Sequence, residues 1–250
     1  RGLGDVYKRQ VYKYASIPQL YQGPQSISLI EIDPVAGLKV GVAVSDKMKE
    51  TSKIASEYNA IAAINGSYFD MKRGNSVCFL KADRQIIDTT MQSEFKLRVT
   101  GAINVRKGKI KLIPWSKQIE KEYEGETGMV LASGPLMLKD GQICDWNSCG
   151  ANFIRTKHPR SAVATTKEGK ILLITVDGRF PEQAEGVNIP ELAHLIRILG
   201  GEDALNLDGG GSTTLWLSGA SDDGVVNYPC DNGRFDHAGE RKVPNILYIH

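Results

Sequence analysis

The sequence lacks several features that would assign it to a special class of protein. It contains no run of about 18 apolar residues, so it offers no candidate transmembrane helix. It has no block of like charges, and its formal net charge is +2, so neither nucleic acid nor a membrane surface is indicated as a partner. The four cysteines form no CxxC pair, so a structural zinc site is not expected. What remains is a composition typical of a globular protein, with 41% apolar and 24% charged residues.

The first ten residues do not resemble the rest of the chain. Residues 5–10, with the sequence DVYKRQ, resemble a translated transposase adapter from DNA library preparation. We therefore expect residues 1–10 to be a non-native leader, with the natural chain entering near Val11 and its true start missing. A signal peptide would be lost with that start, and we expect an exported bacterial protein, periplasmic or at the cell surface. No low-complexity linker divides residues 11–250, which predicts a single domain.

Alternation of apolar and polar residues predicts an α+β fold, strand-rich, with mixed sheets and a few helices. Residues 26–32 and 38–44 alternate as the two strands of a hairpin. Residues 95–105 also show the pattern of a strand, and residues 160–166 and 171–176 show that of a hairpin. Residues 144–157 show no period and predict an irregular loop.

Two segments predict helices, and each is followed by a short strand and a polar turn. The first helix covers residues 51–58 and leads to Asn65-Gly66. The second is opened by Asn188 and Pro190, is closed by Gly200-Gly201, and leads to Asp208-Gly209. If the recurrence is not coincidental, the two units are equivalent, and their strands should be neighbours in one sheet system with their turns on one side.

The stretch 205–217 contains the strongest local signal. Leu205 and Leu207 alternate with polar residues, three glycines follow Asp208, and the alternation resumes at Leu215. Three consecutive glycines cost backbone entropy and leave several N–H groups accessible to a ligand. Such a turn suits an anion or sugar hydroxyls, although a glycine-rich hairpin would produce the same pattern. No Gly-Lys-Ser/Thr follows, so the turn is not a P-loop.

The segment Leu-Asp-Gly-Gly-Gly-Ser-Thr-Thr in this stretch resembles the signature of the phosphodiester glycosidase family. Five further segments match in the order of that family, and the resemblance runs from about residue 25 to the end of the chain. It implies a hydrolase that cleaves a sugar-1-phosphodiester such as that of N-acetylglucosamine. The further segments are 63–70, 158–162, 176–179, 239–241 and 245–247.

The matched segments contain carboxylates and arginines next to polar turns. Glycosidases generally use two carboxyl groups, but a phosphodiester is already a good leaving group, and a nearby arginine would stabilise its charge. Asp208 has the best context for a catalytic carboxylate, Glu240 is the second choice, and Asp177 is either a third or an ion-pair partner of Arg179. The sequence leaves open which of them is nucleophile, base or acid. The residues predicted to bind substrate are Asn65, Gly66, Arg160, Arg179, Gly209, Gly210, Gly211, Ser212, Thr213 and Arg241.

Other sites have weaker support. His158 lies in a matched segment and is either a phosphate ligand or a loop histidine. No metal or cofactor is expected, although a structural calcium at Asp222-Asp223 or Asp231-Asn232 is an alternative without EF-hand spacing. A disulfide between Cys144 and Cys149 would close a short loop in an oxidising compartment; otherwise both are reduced thiols.

The family resemblance implies a phosphorylated glycan or another sugar-phosphodiester as the partner of this chain. The alternative is a non-catalytic protein on the same fold that binds carbohydrate or assembles exopolysaccharide. The two are separated by turnover, because an enzyme releases free sugar from a phosphodiester and a binding protein does not.

Overall fold

The computed structural model describes residues 10–34, 37–125 and 128–250. The predicted leader lies outside these residues except for Gln10, which begins the first strand. The described part is rich in strands and has short helices, which confirms the α+β class. None of its helices is long and apolar enough to cross a membrane.

The strands are β1 (Gln10–Leu20), β2 (Gly23–Ile32), β3 (Val40–Glu50), β4 (Ala62–Asn65), β5 (Leu80–Ala82), β6 (Gln85–Asp88), β7 (Gly101–Arg106), β8 (Lys109–Pro114), β9 (Met129–Ser133), β10 (Leu136–Lys139), β11 (Gln142–Ile143), β12 (Arg160–Thr166), β13 (Ile171–Val176), β14 (Gly201–Asn206), β15 (Leu215–Leu217) and β16 (Lys242–Ile249). The helices are α1 (Thr51–Glu57), α2 (Gln92–Leu97), α3 (Lys117–Lys121), α4 (Ala151–Arg155) and α5 (Ile189–Ile198).

Within the described residues, the strands form three sheets. The seven-stranded sheet has the order β1-β2-β13-β12-β14-β10-β11, the four-stranded sheet β15-β4-β16-β3 and the five-stranded sheet β6-β5-β9-β7-β8. All the strand pairs described are antiparallel, where the sequence predicted mixed sheets. The hairpin predicted for β12 and β13 is confirmed, because tight turns suffice to join antiparallel neighbours.

A central hydrophobic cluster joins the three sheets. It includes Ile30 of the seven-stranded sheet, Ile64 of the four-stranded sheet and Ile103 of the five-stranded sheet, all fully buried. Helix α5 covers the seven-stranded sheet through residues such as Leu192, and α1 covers the four-stranded sheet through Ile54. Each such side chain contributes about 1.5–3 kcal/mol on burial, so the sheets are fixed relative to one another.

Helix α5 agrees with its sequence prediction. Asn188 is the N-cap: its side chain accepts from the Glu191 amide at 2.9 Å, while the Glu191 carboxylate accepts from the Asn188 amide at 3.0 Å. This capping box pairs backbone N–H groups that a helix start leaves free. Gly200 then adopts φ +99°, the left-handed conformation in which glycine ends a helix, and β14 begins at Gly201.

Three local predictions were wrong because distant partners decide the structure there. Strand β3 pairs with β16 and not with β2. Helix α2 occupies residues 92–97, where a strand over 95–105 was predicted, and β7 begins only at Gly101. Helix α4 lies within the predicted irregular loop of residues 144–157.

The structure leaves Cys144 and Cys149 as free thiols. Cys144 packs against the central cluster between the sheets, whereas Cys149 packs against the cluster beneath α5. Because the two side chains enter different clusters, the alternative of reduced thiols describes this loop.

The two helix–strand–turn units lie in different sheets but meet at their turns. Strand β4 lies in the four-stranded sheet and β14 in the seven-stranded sheet, so the predicted neighbouring position in one sheet system is wrong. The turns nevertheless touch, since the Asp208 amide donates to the Gly66 carbonyl at 3.0 Å. The glycine-rich stretch is not a hairpin, because β15 pairs with β4 and β14 pairs with β12 and β10.

Candidate active site

A cavity of about 290 Å³ lies beside the residues that follow β14. Four arginines line it, and Asp208 is the one carboxylate among its described lining residues. Its volume is close to the lower end, roughly 300 Å³, of sites for small ligands. A larger cavity of about 710 Å³ near Tyr58 contains none of the predicted site residues. The lining residues of the smaller cavity are Tyr68, Arg98, Phe153, His158, Pro159, Arg160, Arg179, Asp208, Gly209, Gly210, Gly211 and Arg241.

Asp208 is held by its main chain and remains partly exposed to the cavity. Its amide donates to the Gly66 carbonyl, so Gly66 contributes its backbone to the site. Burial is the largest influence on the carboxyl group and raises its pKa to about 6, while Ser212 and Arg98 favour the charged form and limit that rise. The carboxylate is therefore mostly ionised at neutral pH, with a pKa suited to proton transfer.

Asn65 positions Asp208, whereas the sequence predicted that Asn65 itself contacts the substrate. Its side-chain nitrogen donates to the Asp208 carbonyl at 2.7 Å. Its side-chain oxygen accepts from Ser161 Oγ at 2.7 Å and from the Thr214 amide at 3.1 Å. The residue is completely buried, and both ends of its amide are paired within the protein. Asn65 therefore joins β4, β12 and the glycine turn, and presents no surface to a sugar hydroxyl.

The glycine turn brings backbone and cations close together. A Cβ at position 209 would lie 2.4 Å from the Pro159 carbonyl oxygen, which leaves room only for glycine. Gly210 has φ +58°, a conformation that other residues rarely adopt. Arg179 lies over Gly210, and Arg241 lies against Gly211, where a Cβ would be 2.3 Å from its Nη2. The predicted cations Arg179 and Arg241 thus flank the turn beside Asp208.

Arg98 is a cavity residue that the sequence analysis missed. Its guanidinium lies 3.4 Å from the centroid of the Tyr68 ring and forms two hydrogen bonds with the Glu94 carboxylate, at 2.8 and 3.1 Å. Glu94 lies one helical turn earlier on α2, so the i, i+4 spacing of opposite charges was the available signal. That signal was lost because the segment was predicted to be a strand.

Arg160 lies at the cavity wall, but its guanidinium is occupied by the protein. It is 2% exposed; Nε donates to the Val187 carbonyl at 3.0 Å, and Nη2 donates to the carbonyls of Phe153 and Thr156 at 3.0 and 2.7 Å. Burial is the largest influence on this group and lowers its pKa to about 10. The two-pronged phosphate contact predicted from its motif is therefore not available, and Arg160 supports the wall.

Aromatic and imidazole rings complete the cavity wall. Tyr68 and Phe153 form an edge-to-face pair with centroids 6.1 Å apart, and neither was predicted as a site residue. Burial raises the pKa of Tyr68, so its phenol stays neutral. His158 has its pKa lowered by burial and by the charges of Arg160 and Arg179, so its imidazole is neutral at pH 7 and can accept a proton.

Glu240, the second predicted catalytic carboxylate, does not line this cavity. It accepts from the Ser52 amide at 2.9 Å and from Ser52 Oγ at 2.6 Å. The first N–H groups of a helix have no partners within the helix, and the N-terminal end of a helix favours negative charge. The Glu240 carboxylate accepts from one of these N–H groups and places its negative charge at the start of α1. Glu240 therefore joins the last loop to α1, and this structural role accounts for its place in a matched segment.

Asp177, the third predicted carboxylate, is also outside the cavity lining. It is 1% exposed and accepts from Ser26 Oγ at 2.7 Å, from Asn227 Nδ2 at 3.0 Å and from the Tyr228 amide at 3.1 Å. Burial raises its pKa to about 7 despite these donors. Asp177 therefore ties β2 and the segment at 227–228 to the end of β13, and it forms no ion pair with Arg179.

Ser212 and Thr213 are buried behind the turn and are not among the residues that line the cavity. Within the described part of the chain, neither hydroxyl has a hydrogen-bond partner. The Ser212 hydroxyl is near enough to the Asp208 carboxyl group to favour its ionised form. Direct contact of these two residues with a ligand stays a prediction.

The side chains considered from the sequence as calcium ligands either pair with other residues or lie at the surface. Asp231 pairs with Arg241 at 2.6 Å, and Asn232 donates to Asp236 at 3.0 Å. Asp222 and Asp223 begin a short 3-10 turn at the surface. No group of three or more potential ligands from His, Cys, Asp and Glu is arranged for a metal among the residues that the structure describes.

Comparison with known proteins connects this geometry to one family. The family model described as phosphodiester glycosidase matches residues 58–250. The chain is 24% identical over 205 residues to N-acetylglucosamine-1-phosphodiester alpha-N-acetylglucosaminidase of Mus musculus, covering 75% of this chain and 37% of that protein. The Homo sapiens protein of the same name is 24% identical over 222 residues, covering 81% and 39% respectively. The chain thus spans less than half the length of these curated relatives.

A solved structure shares the fold. It is the catalytic domain of zebrafish N-acetylglucosamine-1-phosphodiester alpha-N-acetylglucosaminidase, auto-inhibited by its pro-peptide. The TM-score is 0.72 at 20% identity, and the match covers 96% of this chain and 82% of that chain. At this identity the likeness shows the fold alone.

Proposed function

This chain belongs to the phosphodiester glycosidase family, and on that premise we propose that it hydrolyses the glycosidic bond of a sugar-1-phosphodiester. The sugar is N-acetylglucosamine or a close analogue, since the curated relatives have that substrate in their names. The leaving group is a phosphomonoester borne by a glycan. The observation that carries the proposal is the cavity itself, in which one ionised carboxylate faces several arginines.

The cavity composition fits this bond better than an ordinary glycosidic bond. An alkoxide leaving group needs a proton from a second carboxylic acid, whereas a phosphate oxygen tolerates the negative charge that it gains. The guanidinium groups of Arg98, Arg179 and Arg241 stabilise that charge. One carboxylate together with these cations is therefore a sufficient set for a phosphodiester substrate.

In the proposed reaction, the bond between the anomeric carbon and the phosphate oxygen breaks, and that oxygen keeps the electron pair. Water supplies the oxygen that finally bonds to the anomeric carbon, and the Asp208 carboxylate takes up one of the water protons. The products are the free reducing sugar and a phosphomonoester. The neutral His158 imidazole offers a second proton acceptor on the same wall.

The test is incubation with the methyl diester of N-acetylglucosamine 1-phosphate, with free sugar and methyl phosphate followed by NMR. Wild type should release both, and Asp208→Asn should lower kcat by about 10²–10⁴-fold. Asp70→Asn is the matched control, because Asp70 lies in a matched segment but outside the cavity and orders its own loop through the Lys72 and Arg73 amides. Absence of release by wild type would overturn the proposal, and an active Asp208→Asn would remove Asp208 from the chemistry.

Non-catalytic carbohydrate binding is the second candidate, and one observation favours it. The other carboxylates predicted for catalysis, Glu240 and Asp177, are used as internal anchors, so the described lining of the cavity contains one carboxylate where glycosidases usually have two. A binding protein would hold the same diester in a calorimetric titration without releasing free sugar.

A further inference from the structure

A group of aromatic side chains lies together on the segments next to the cavity. The rings of Tyr228 and Phe235 are stacked, with centroids 4.0 Å apart and planes 8° apart. Phe180 meets Phe235 edge-on with centroids 5.3 Å apart, and the His237 and Tyr228 ring centroids are 4.3 Å apart. We call Phe180, Tyr228 and Phe235 the aromatic ledge.

The segments that carry the aromatic ledge reach the cavity wall at Arg179. Phe180 follows Arg179, which lines the cavity. Two residues after Tyr228, the Cys230 sulfur lies 3.9 Å from Arg179 Nη1, so both segments of the ledge converge on this arginine. A phosphate held by Arg179 in the cavity would therefore lie near the segments that carry the ledge.

The ledge is not part of the hydrophobic core. Its three rings are partly exposed, and none of them belongs to the four hydrophobic clusters found in the described part of the chain. Large aromatic side chains usually contribute by burial, so rings that stay partly exposed are available for a ligand.

Hydrogen bonds within the protein nevertheless fix the part of the ledge that contains Tyr228. The Tyr228 amide donates to the buried Asp177 carboxylate, which also accepts from the Asn227 side chain. The Asn227 carbonyl in turn contacts His237 Nδ1 at 2.6 Å. The segment 177–180 thus contains an anchor for Tyr228, a cavity cation and a ledge ring within four residues. This arrangement explains why Asp177 lies in a matched segment without reaching the cavity.

We propose that the aromatic ledge binds a pyranose ring of the leaving group, on the far side of the phosphate from the sugar that is released. A pyranose has a face of C–H bonds that packs on aromatic rings, while its hydroxyl groups need polar neighbours. Arg234, an exposed residue next to Phe235 on the same loop, supplies such a neighbour. This inference rests on the proposed function and extends it to the other half of the substrate.

The test compares two diesters that share N-acetylglucosamine 1-phosphate and differ only in the leaving group. One carries a methyl group and the other carries methyl glucopyranoside attached through its 6-oxygen. Phe235→Ala should raise KM for the pyranosyl diester by roughly fivefold, the loss expected for one aromatic contact, and leave KM for the methyl diester unchanged. Phe235→Tyr should restore the wild-type value, since it keeps the ring.

Two further variants secure the interpretation. Phe180→Ala should show the same selective rise in KM, and it replaces Phe235→Ala if that variant does not fold. Tyr58→Ala is the matched control, because Tyr58 is a 41% exposed aromatic residue beside the larger cavity, away from the ledge. Equal changes for both diesters, or no change for either, would overturn the ledge as a leaving-group site.

The remaining outcomes are also decisive. Better use of a nucleoside diester than of the pyranosyl diester, lost in Phe235→Ala, would assign the ledge to bases and overturn the pyranose. If wild type cleaves neither diester, the proposed function fails, and saturation-transfer NMR with methyl glucopyranoside 6-phosphate tests the ledge separately. A signal with wild type that is lost in Phe235→Ala supports the ledge site, and equal signals reject it.

Discussion

Replacing Asp208 by Asn should make the protein more stable at neutral pH, although it removes the carboxylate proposed for catalysis. Burial raises the pKa of Asp208 from the ordinary value of 3.8 to about 6. At pH 7 the carboxyl group is ionised in both folded and unfolded chains, and the folded chain bears the cost of a charge in a partly buried position. Asn has nearly the same shape and no charge, so the free energy of unfolding should rise.

The size and pH dependence of this effect follow from the two pKa values. The difference between 3.8 and about 6 corresponds to about 3 kcal/mol as an upper bound, and solvent in the open cavity screens part of it. We expect about 1–3 kcal/mol, or a rise in melting temperature of about 2–10 °C for a chain of this size. As pH falls through 6, wild-type Asp208 takes up its proton in the folded chain first. The advantage of the Asn variant therefore shrinks and vanishes below the unfolded pKa of 3.8.

Calorimetric melting of wild type and Asp208→Asn at about pH 7.5 and about pH 4.5 measures this difference. Asp70→Asn is a control of opposite sign, because the Arg73 and Lys72 amides lower the pKa of Asp70 and favour its charged form. That variant should melt below wild type at neutral pH. Equal melting temperatures of wild type and Asp208→Asn at neutral pH, or a gain that persists undiminished in acid, would refute burial as the cause of the raised pKa.

Three further predictions concern the supports of the site. Asn65→Ala should lower the free energy of unfolding by about 2–4 kcal/mol, measured by chemical denaturation, and should also lower kcat although Asn65 does not line the cavity. Gly209→Ala should reduce activity more than Gly210→Ala, because a Cβ at 209 meets a fixed carbonyl at 2.4 Å, whereas at 210 it meets the movable end of Arg179 at 3.1 Å and adds only the strain of alanine at φ +58°, about 1–2 kcal/mol. Arg160→Lys should lower the melting temperature without a selective rise in KM, because lysine cannot replace the contacts of a planar fork with three carbonyls; unchanged melting with a raised KM would return Arg160 to phosphate binding.

The elements predicted correctly from the sequence are those that short-range chemistry determines. Asn188, Pro190 and Gly200 fix both ends of α5 within a dozen residues of each other, and the hairpin of β12 and β13 needs only its tight turn. The glycine stretch after Asp208 was recognised as a turn for the same reason, and its role in binding a ligand stays a prediction.

The elements predicted wrongly depend on partners that are distant in sequence. Strand β3 alternates as a hairpin strand would, but its partner β16 lies nearly 200 residues later. Arg98 was missed because its segment was read together with the strand that follows, whereas in the structure α2 ends at Leu97 with Arg98 as its C-cap in a non-helical conformation, φ −163°. The cavity wall therefore contains a cation that only the i, i+4 spacing of Glu94 and Arg98 could have indicated.

The matched segments also show why a motif alone does not identify a residue that contacts substrate. Asn65, Asp177 and Glu240 each use both ends or both oxygens of the side chain on partners within the protein. A polar side chain that is buried with its bonding capacity filled has none left for a ligand, so these residues act through the groups that they hold. Asp208 and Arg179 differ because they line the cavity, and Arg98 lines it from outside any matched segment. Substitution of the neutral and fully buried Asn65 should thus lower stability and activity together, whereas Asp208→Asn should separate the two, raising stability while lowering kcat.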